Sequence, residues 1–216
     1  MRKIGLLVPV ICLALVPCAA KADPVLTFNS SSGVVGPYNL TLNPPGSNLS
    51  LFCLNDTLDI QATESWTVAV INGANLSTNS LTGSSPSLLL DYEEEAYIFS
   101  KYTGGPSSAQ NTIDVQDALW KIFDPADSVD TTAANWITAA STFTYTSAFL
   151  SNYTFYVYDG GTVNDPVINA NGAPSAPQNF IGDAPPSPAP EPSTLLMLGT
   201  GLTGLAGVIR RKLTRT

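Results

Sequence analysis

The sequence contains no histidine. That absence excludes any Ser-His or Cys-His catalytic arrangement and any imidazole-ligated metal. Cysteine is nearly as scarce. Of three, Cys12 and Cys18 precede residue 23, and only Cys53 lies in the body of the chain. One cysteine can build neither a zinc ribbon nor a disulfide scaffold. Charged residues make up 12%, too few for a solvated disordered chain, while 44% apolar residues suit a globular or membrane-linked one. Basic residues are almost missing from the middle: Lys101 and Lys121 stand against all 17 carboxylates between Asp23 and Glu191, a net of −15. Such a charge repels phosphate backbones, so no nucleic-acid partner is expected. No GxSxG nucleophile elbow and no GxxxxGK[ST] phosphate loop occurs. No metal, no cofactor and no enzymatic activity are expected.

The two ends of the 216-residue chain read as addresses. Arg2 and Lys3, an apolar run from Ile4 to Val16 and the small residues Ala20 and Ala22 describe a secretory signal peptide over residues 1–22. Cleavage after Ala22 makes Asp23 the first mature residue. At the other end, residues 170–192 carry seven prolines among alanine, serine and glycine, the composition of an extended linker. Residues 194–209 carry no charge and suit a transmembrane helix, close to the length a bilayer needs. The tail over 210–216, with Arg210, Arg211 and Lys212, is placed in the cytoplasm by the positive-inside rule.

Pro190-Glu191-Pro192, the apolar helix and the terminal arginine cluster together resemble the PEP-CTERM sorting signal of Gram-negative bacteria, over residues 190–216. The resemblance implies that an exosortase, a membrane protease-transpeptidase, recognises Glu191 and its prolines and removes the tail. It also implies export across the inner membrane and anchoring by the C-terminal helix until processing. The final location is then the cell surface or the extracellular matrix, with exopolysaccharide or a surface ligand as partner.

Between the two addresses, residues 23–169 suffice for one core. Alternation of apolar and polar residues predicts strands at Val25–Phe28, Tyr38–Leu42, Leu49–Leu54, Ser65–Ile71 and Tyr153–Tyr158. Asn43-Pro44-Pro45-Gly46, Asn72-Gly73 and Asp159-Gly160 mark turns. The period then changes to that of helices near 92–102, 109–123 and 131–140, the first with Glu93, Glu94 and Glu95 in its opening turn. The expected class is α+β, mainly β: a sandwich or barrel-like domain with two or three inserted helices.

Two residues do not fit a plain core. Cys53 is a lone thiol in an exported chain. Gln116 interrupts the apolar stripe Ile113, Trp120, Phe123 of the second helix, and a buried amide must be satisfied or cost about 1–3 kcal/mol. The ordinary readings are a buried thiol and a core glutamine bonded to a neighbouring strand. The sharper one joins them in an internal thioester with loss of ammonia. Phe52-Cys53 and Val115-Gln116-Asp117-Ala118-Leu119 resemble the two short motifs of the thioester domains of bacterial surface adhesins, which implies covalent capture of a surface nucleophile. A wider succession, from Phe52-Cys53-Leu54-Asn55-Asp56 through Glu64-Ser65-Trp66-Thr67 to Gln116-Asp117-Ala118-Leu119-Trp120, is similar to that of many PEP-CTERM proteins. Asp124, Asp127 and Asp130 have oxygens at a threefold spacing but lack a calcium-loop pattern. Asn-x-Ser/Thr triplets at Asn29, Asn39, Asn48, Asn55, Asn75 and Asn152 follow from composition. The leading expectation is a non-enzymatic structural or adhesive protein; next comes the thioester adhesin, and last a hydrolase using two carboxylates.

Overall fold

The computed structural model describes residues 23–31, 35–55, 60, 62–164 and 177–184. The segments expected to be signal peptide and sorting signal with a transmembrane helix, and most of the expected linker, lie outside them. Among the described residues no helix is long and apolar enough to cross a membrane.

The alternating segments form strands β1 (Val25–Ser31), β2 (Tyr38–Asn43), β3 (Ser47–Cys53) and β4 (Ser65–Asn72). Two more follow the helices, β5 (Tyr153–Asn164) and β6 (Phe180–Asp183). All pair antiparallel and close a barrel in the order β1-β2-β3-β6-β5-β4. The architecture is therefore a barrel rather than a sandwich. Its inside is filled by Leu26, Phe28, Tyr38, Leu40, Leu51, Cys53, Trp66, Val68, Tyr156 and Phe180. Burial there pushes the Tyr156 hydroxyl up to about 12, as a dry interior must.

A second core lies outside the barrel wall, under the helices. Phe52, Phe155 and Ile181 point into it, while their neighbours Cys53, Tyr156 and Phe180 point inward. These strands are buried on both faces, which is why they read as continuous apolar runs. In β4 the expected face breaks: Trp66 and Val68 are buried, but Val70 is 41% exposed and Ile71 joins the helical side.

Helix α1 (Pro86–Phe99) starts a turn and a half before the position its acids suggest. Ser85 caps it by accepting the Leu88 N–H, and Pro86 stands in the first turn, where its missing N–H costs nothing. Glu93, Glu94 and Glu95 therefore sit mid-helix, and Glu95 is wholly buried. Helices α2 (Gln110–Phe123) and α3 (Thr131–Ala140) occupy the expected spans. A 3-10 turn (Gly73–Thr78) and the short α4 (Ser147–Leu150) complete the layer.

Two boundaries are corrected. Strand β5 does not end at Asp159-Gly160 but runs on to Asn164. The register shifts between Trp66 and Val68, Gly160 adopts a positive φ, and Thr67 Oγ donates to Asp159 Oδ1 at 2.6 Å. The turn residues make a bulge instead of a stop. Residues Phe180–Asp183, read as part of the linker 170–192, are the strand that closes the barrel between β3 and β5.

Candidate functional site

Alternate residues of β3 turn their backbone groups to opposite neighbours. Leu54 N–H donates toward the β6 side, to Asn179 O at 2.9 Å. Cys53 therefore faces the β2 side, but the β2–β3 ladder ends at the Tyr38–Leu51 pair. The carboxamide of Gln116 takes the place of the missing strand. Gln116 Nε2 donates to Cys53 O at 2.6 Å, and Cys53 N–H donates to Gln116 Oε1 at 3.3 Å. A glycine at position 36 makes room, since a Cβ there would lie 2.7 Å from that same Oε1. Helix α2 thus sends one side-chain amide through the wall to finish a β-ladder.

The thiol points elsewhere. Cys53 Sγ lies 2.9 Å from Asn55 O and 2.9 Å from Gln178 Oε1. Cys53 is 1% exposed and Gln178 6%. Tyr38 is also close: its hydroxyl is pushed up first by burial and then by the neighbouring thiol. One cysteine is therefore flanked by two carboxamides, Gln116 on its peptide and Gln178 on its sulfur.

Of the two readings of Gln116, the structure shows the core amide bonded to a neighbouring strand: it reaches the Cys53 peptide and not the sulfur. Gln178 was missed because it lies in the proline-rich stretch. The signal there was the pair Gln178-Asn179 set directly before the apolar Phe180-Ile181. Asn179 is a clamp: its N–H donates to Asn55 Oδ1, its Oδ1 accepts from Tyr158 N–H, and its Nδ2 donates to the Tyr92 hydroxyl.

Several carboxylates serve caps and turns. Asp130 caps α3 by accepting the Ala133 N–H, and Asp124 accepts the Ala126 N–H. Lys121 donates to the carbonyls of Pro125 and Asp127. Burial, then Asp114, Asp130 and Asp127, hold the Asp117 carboxyl above the ordinary range. A hollow of about 180 Å³ lies beside Asp117, Trp120, Asp127 and Ser128. Among the described residues no group of three or more Cys, Asp or Glu side chains could hold a metal ion.

Asp23 is exposed two residues before β1. Ala20, Ala22, Pro190, Glu191, Pro192, Arg210, Arg211 and Lys212 lie outside the described residues. No curated protein and no solved structure matches the chain. Residues 188–212 match the PEP-CTERM protein-sorting motif, which marks the chain as an exported protein targeted to an exosortase.

Proposed function

We propose that the barrel is the cargo of this sorting route, a non-enzymatic adhesive or structural protein of the cell surface or the biofilm matrix. The observation that carries the reading is the order of parts: β6 ends at Asp183 and the sorting motif begins at residue 188. All the described fold precedes the motif. The test is fractionation of producing cells with and without the exosortase. The reading expects a processed form at the surface or in the matrix in the first case and a membrane-held, full-length form in the second. Recovery of the same full-length form in both would remove it.

A second reading is favoured by the carboxamide held against Cys53. In an internal thioester, Cys53 Sγ bonds to Gln116 Cδ. The Cδ–Nε2 bond breaks, and the nitrogen leaves as ammonia carrying the thiol proton. Burial excludes water, and the carboxamide is held on the Cys53 peptide, one side-chain rotation from the thiol's reach. The cost is also clear, because closure requires both amide bonds to the Cys53 peptide and the thiol's bond to Gln178 to be given up. Intact mass of protein purified without amine buffers decides it. A thioester lowers the mass by one ammonia, disappears in Cys53→Ala, and takes up methylamine. An unshifted mass with a thiol that labels after denaturation leaves Gln116 as a structural amide.

A further inference from the structure

The outer face of β1, β2 and β3 carries no charge in this acidic molecule. From Pro24 to Asn55 the sequence contains no Asp, Glu, Lys or Arg. Period-two alternation turns Leu26, Phe28, Leu40 and Leu51 inward and leaves Asn29, Asn39, Asn48 and Ser50 exposed. It also explains the Asn-x-Ser/Thr triplets at Asn39 and Asn48, since residues i and i+2 of a strand share a face.

These side chains form an ordered array. Asn29 sits at a bulge, where the β1–β2 register shifts between Phe28 and Ser30. Bulges re-aim side chains, and Asn29 Nδ2 donates across to Thr41 Oγ at 2.8 Å. Thr41 Oγ donates onward to Asn48 Oδ1 at 3.1 Å. Asn39 lies between Ser30 and Ser50 in register, and its Nδ2 donates to Ser30 Oγ at 3.3 Å. The array borders a groove of about 360 Å³ lined by Asn29, Asn39, Leu40, Asn48, Leu49 and Ser50.

We propose that this groove binds a neutral polysaccharide chain. Each carboxamide offers two donors and an acceptor oxygen. Fixed amides of this kind match the adjacent hydroxyls of a sugar, which also donate and accept. The net of −15 between Asp23 and Glu191 opposes a polyanion, and the absence of carboxylates in the face gives a cation nothing to pair with. Bonds among the array members hold the amides in place before the ligand arrives, which reduces the ordering cost of binding. The inference deepens the adhesive reading and rests on it.

The test uses the processed protein purified from producing cells. Its probes are the neutral and acidic fractions of those cells' extracellular polysaccharide, separated by anion exchange and cast into native gels. The neutral fraction is expected to retard the wild type and the acidic one is not. Asn39→Ala/Asn48→Ala is expected to weaken retardation at least tenfold in apparent Kd. Both positions are exposed, so its melting temperature should stay near that of the wild type; Asn48→Ala alone provides the comparison if the double variant is unstable. No retardation of the wild type by the neutral fraction overturns the proposal, as does equal retardation of wild type and variant. Protein found in the matrix without retardation removes the groove and leaves the adhesive reading. Retardation without matrix location supports the groove and removes that reading.

Discussion

Gln116 is the residue whose removal is most instructive. Its amide satisfies one donor and one acceptor on the Cys53 peptide, both inside the protein. Gln116→Leu keeps the volume but orphans both groups, at about 1–3 kcal/mol each. Urea denaturation should show that loss, while Cys53→Ser should cost less because the peptide keeps its partner. A Gln116→Leu protein as stable as the wild type would contradict this role. Glu95 makes an opposite prediction. It is fully buried, and neither oxygen has a hydrogen-bond partner. Burial first, then Asp91 and Glu94, hold its carboxyl well above the ordinary glutamate range. The folded state therefore keeps a proton that the unfolded state gives up. Stability from this group is complete at pH below the unfolded value and declines as pH rises toward the folded one. Glu95→Gln should flatten the fall in melting temperature as pH rises above the ordinary glutamate range. An unchanged slope would show that other groups cause it. The oddity of Gln116 was visible in a helical stripe, but nothing in spacing showed that its partner would be a backbone rather than a thiol.

Elements were legible where local pattern and final burial agree. Strands β1 and β2 alternate, and α2 and α3 keep the boundaries that period and breakers imply. The first helix was misplaced because three acids imitate an opening turn, while the true start lies in the quieter Ser85-Pro86. Strand β6 was hidden because four residues among prolines carry too little pattern, and its pairing is wholly non-local. Which face of β3 belonged to which core was equally hidden, because both faces are apolar. The energetics of β6 make a clear expectation. Phe180 is fully buried against Trp66 and Tyr38. Phe180→Ala should cost about 3–5 kcal/mol by the usual penalty for emptying an aromatic site. A chain ending at residue 176 should lose the barrel, since β3 and β5 would both become open edges. A chain ending at residue 184 should retain it. Near-ultraviolet circular dichroism and resistance to protease distinguish the two, and equal order in both truncations would show that β6 is dispensable.

Across the whole molecule, both addresses stand close outside the fold. The first strand begins at Val25, two residues past the proposed signal cleavage before Asp23. The last ends at Asp183, with the sorting motif starting at 188. The intervening segment from 184 to 187 is four residues, which can span at most roughly 14 Å when fully extended. The closing strand and the sorting motif are thus four residues apart in sequence, and a cut that strayed inward past Asp183 would remove that strand. Maturation at both ends should therefore yield one species. It should begin at Asp23, retain Phe180–Asp183, and lack Arg210, Arg211 and Lys212. Terminal peptide mapping of the released protein tests this. A released, folded form that lacks residues 180–183 would show that the sorting cut and the closing strand are not separated as the sequence order implies. A form retaining both strand and tail would show release without processing.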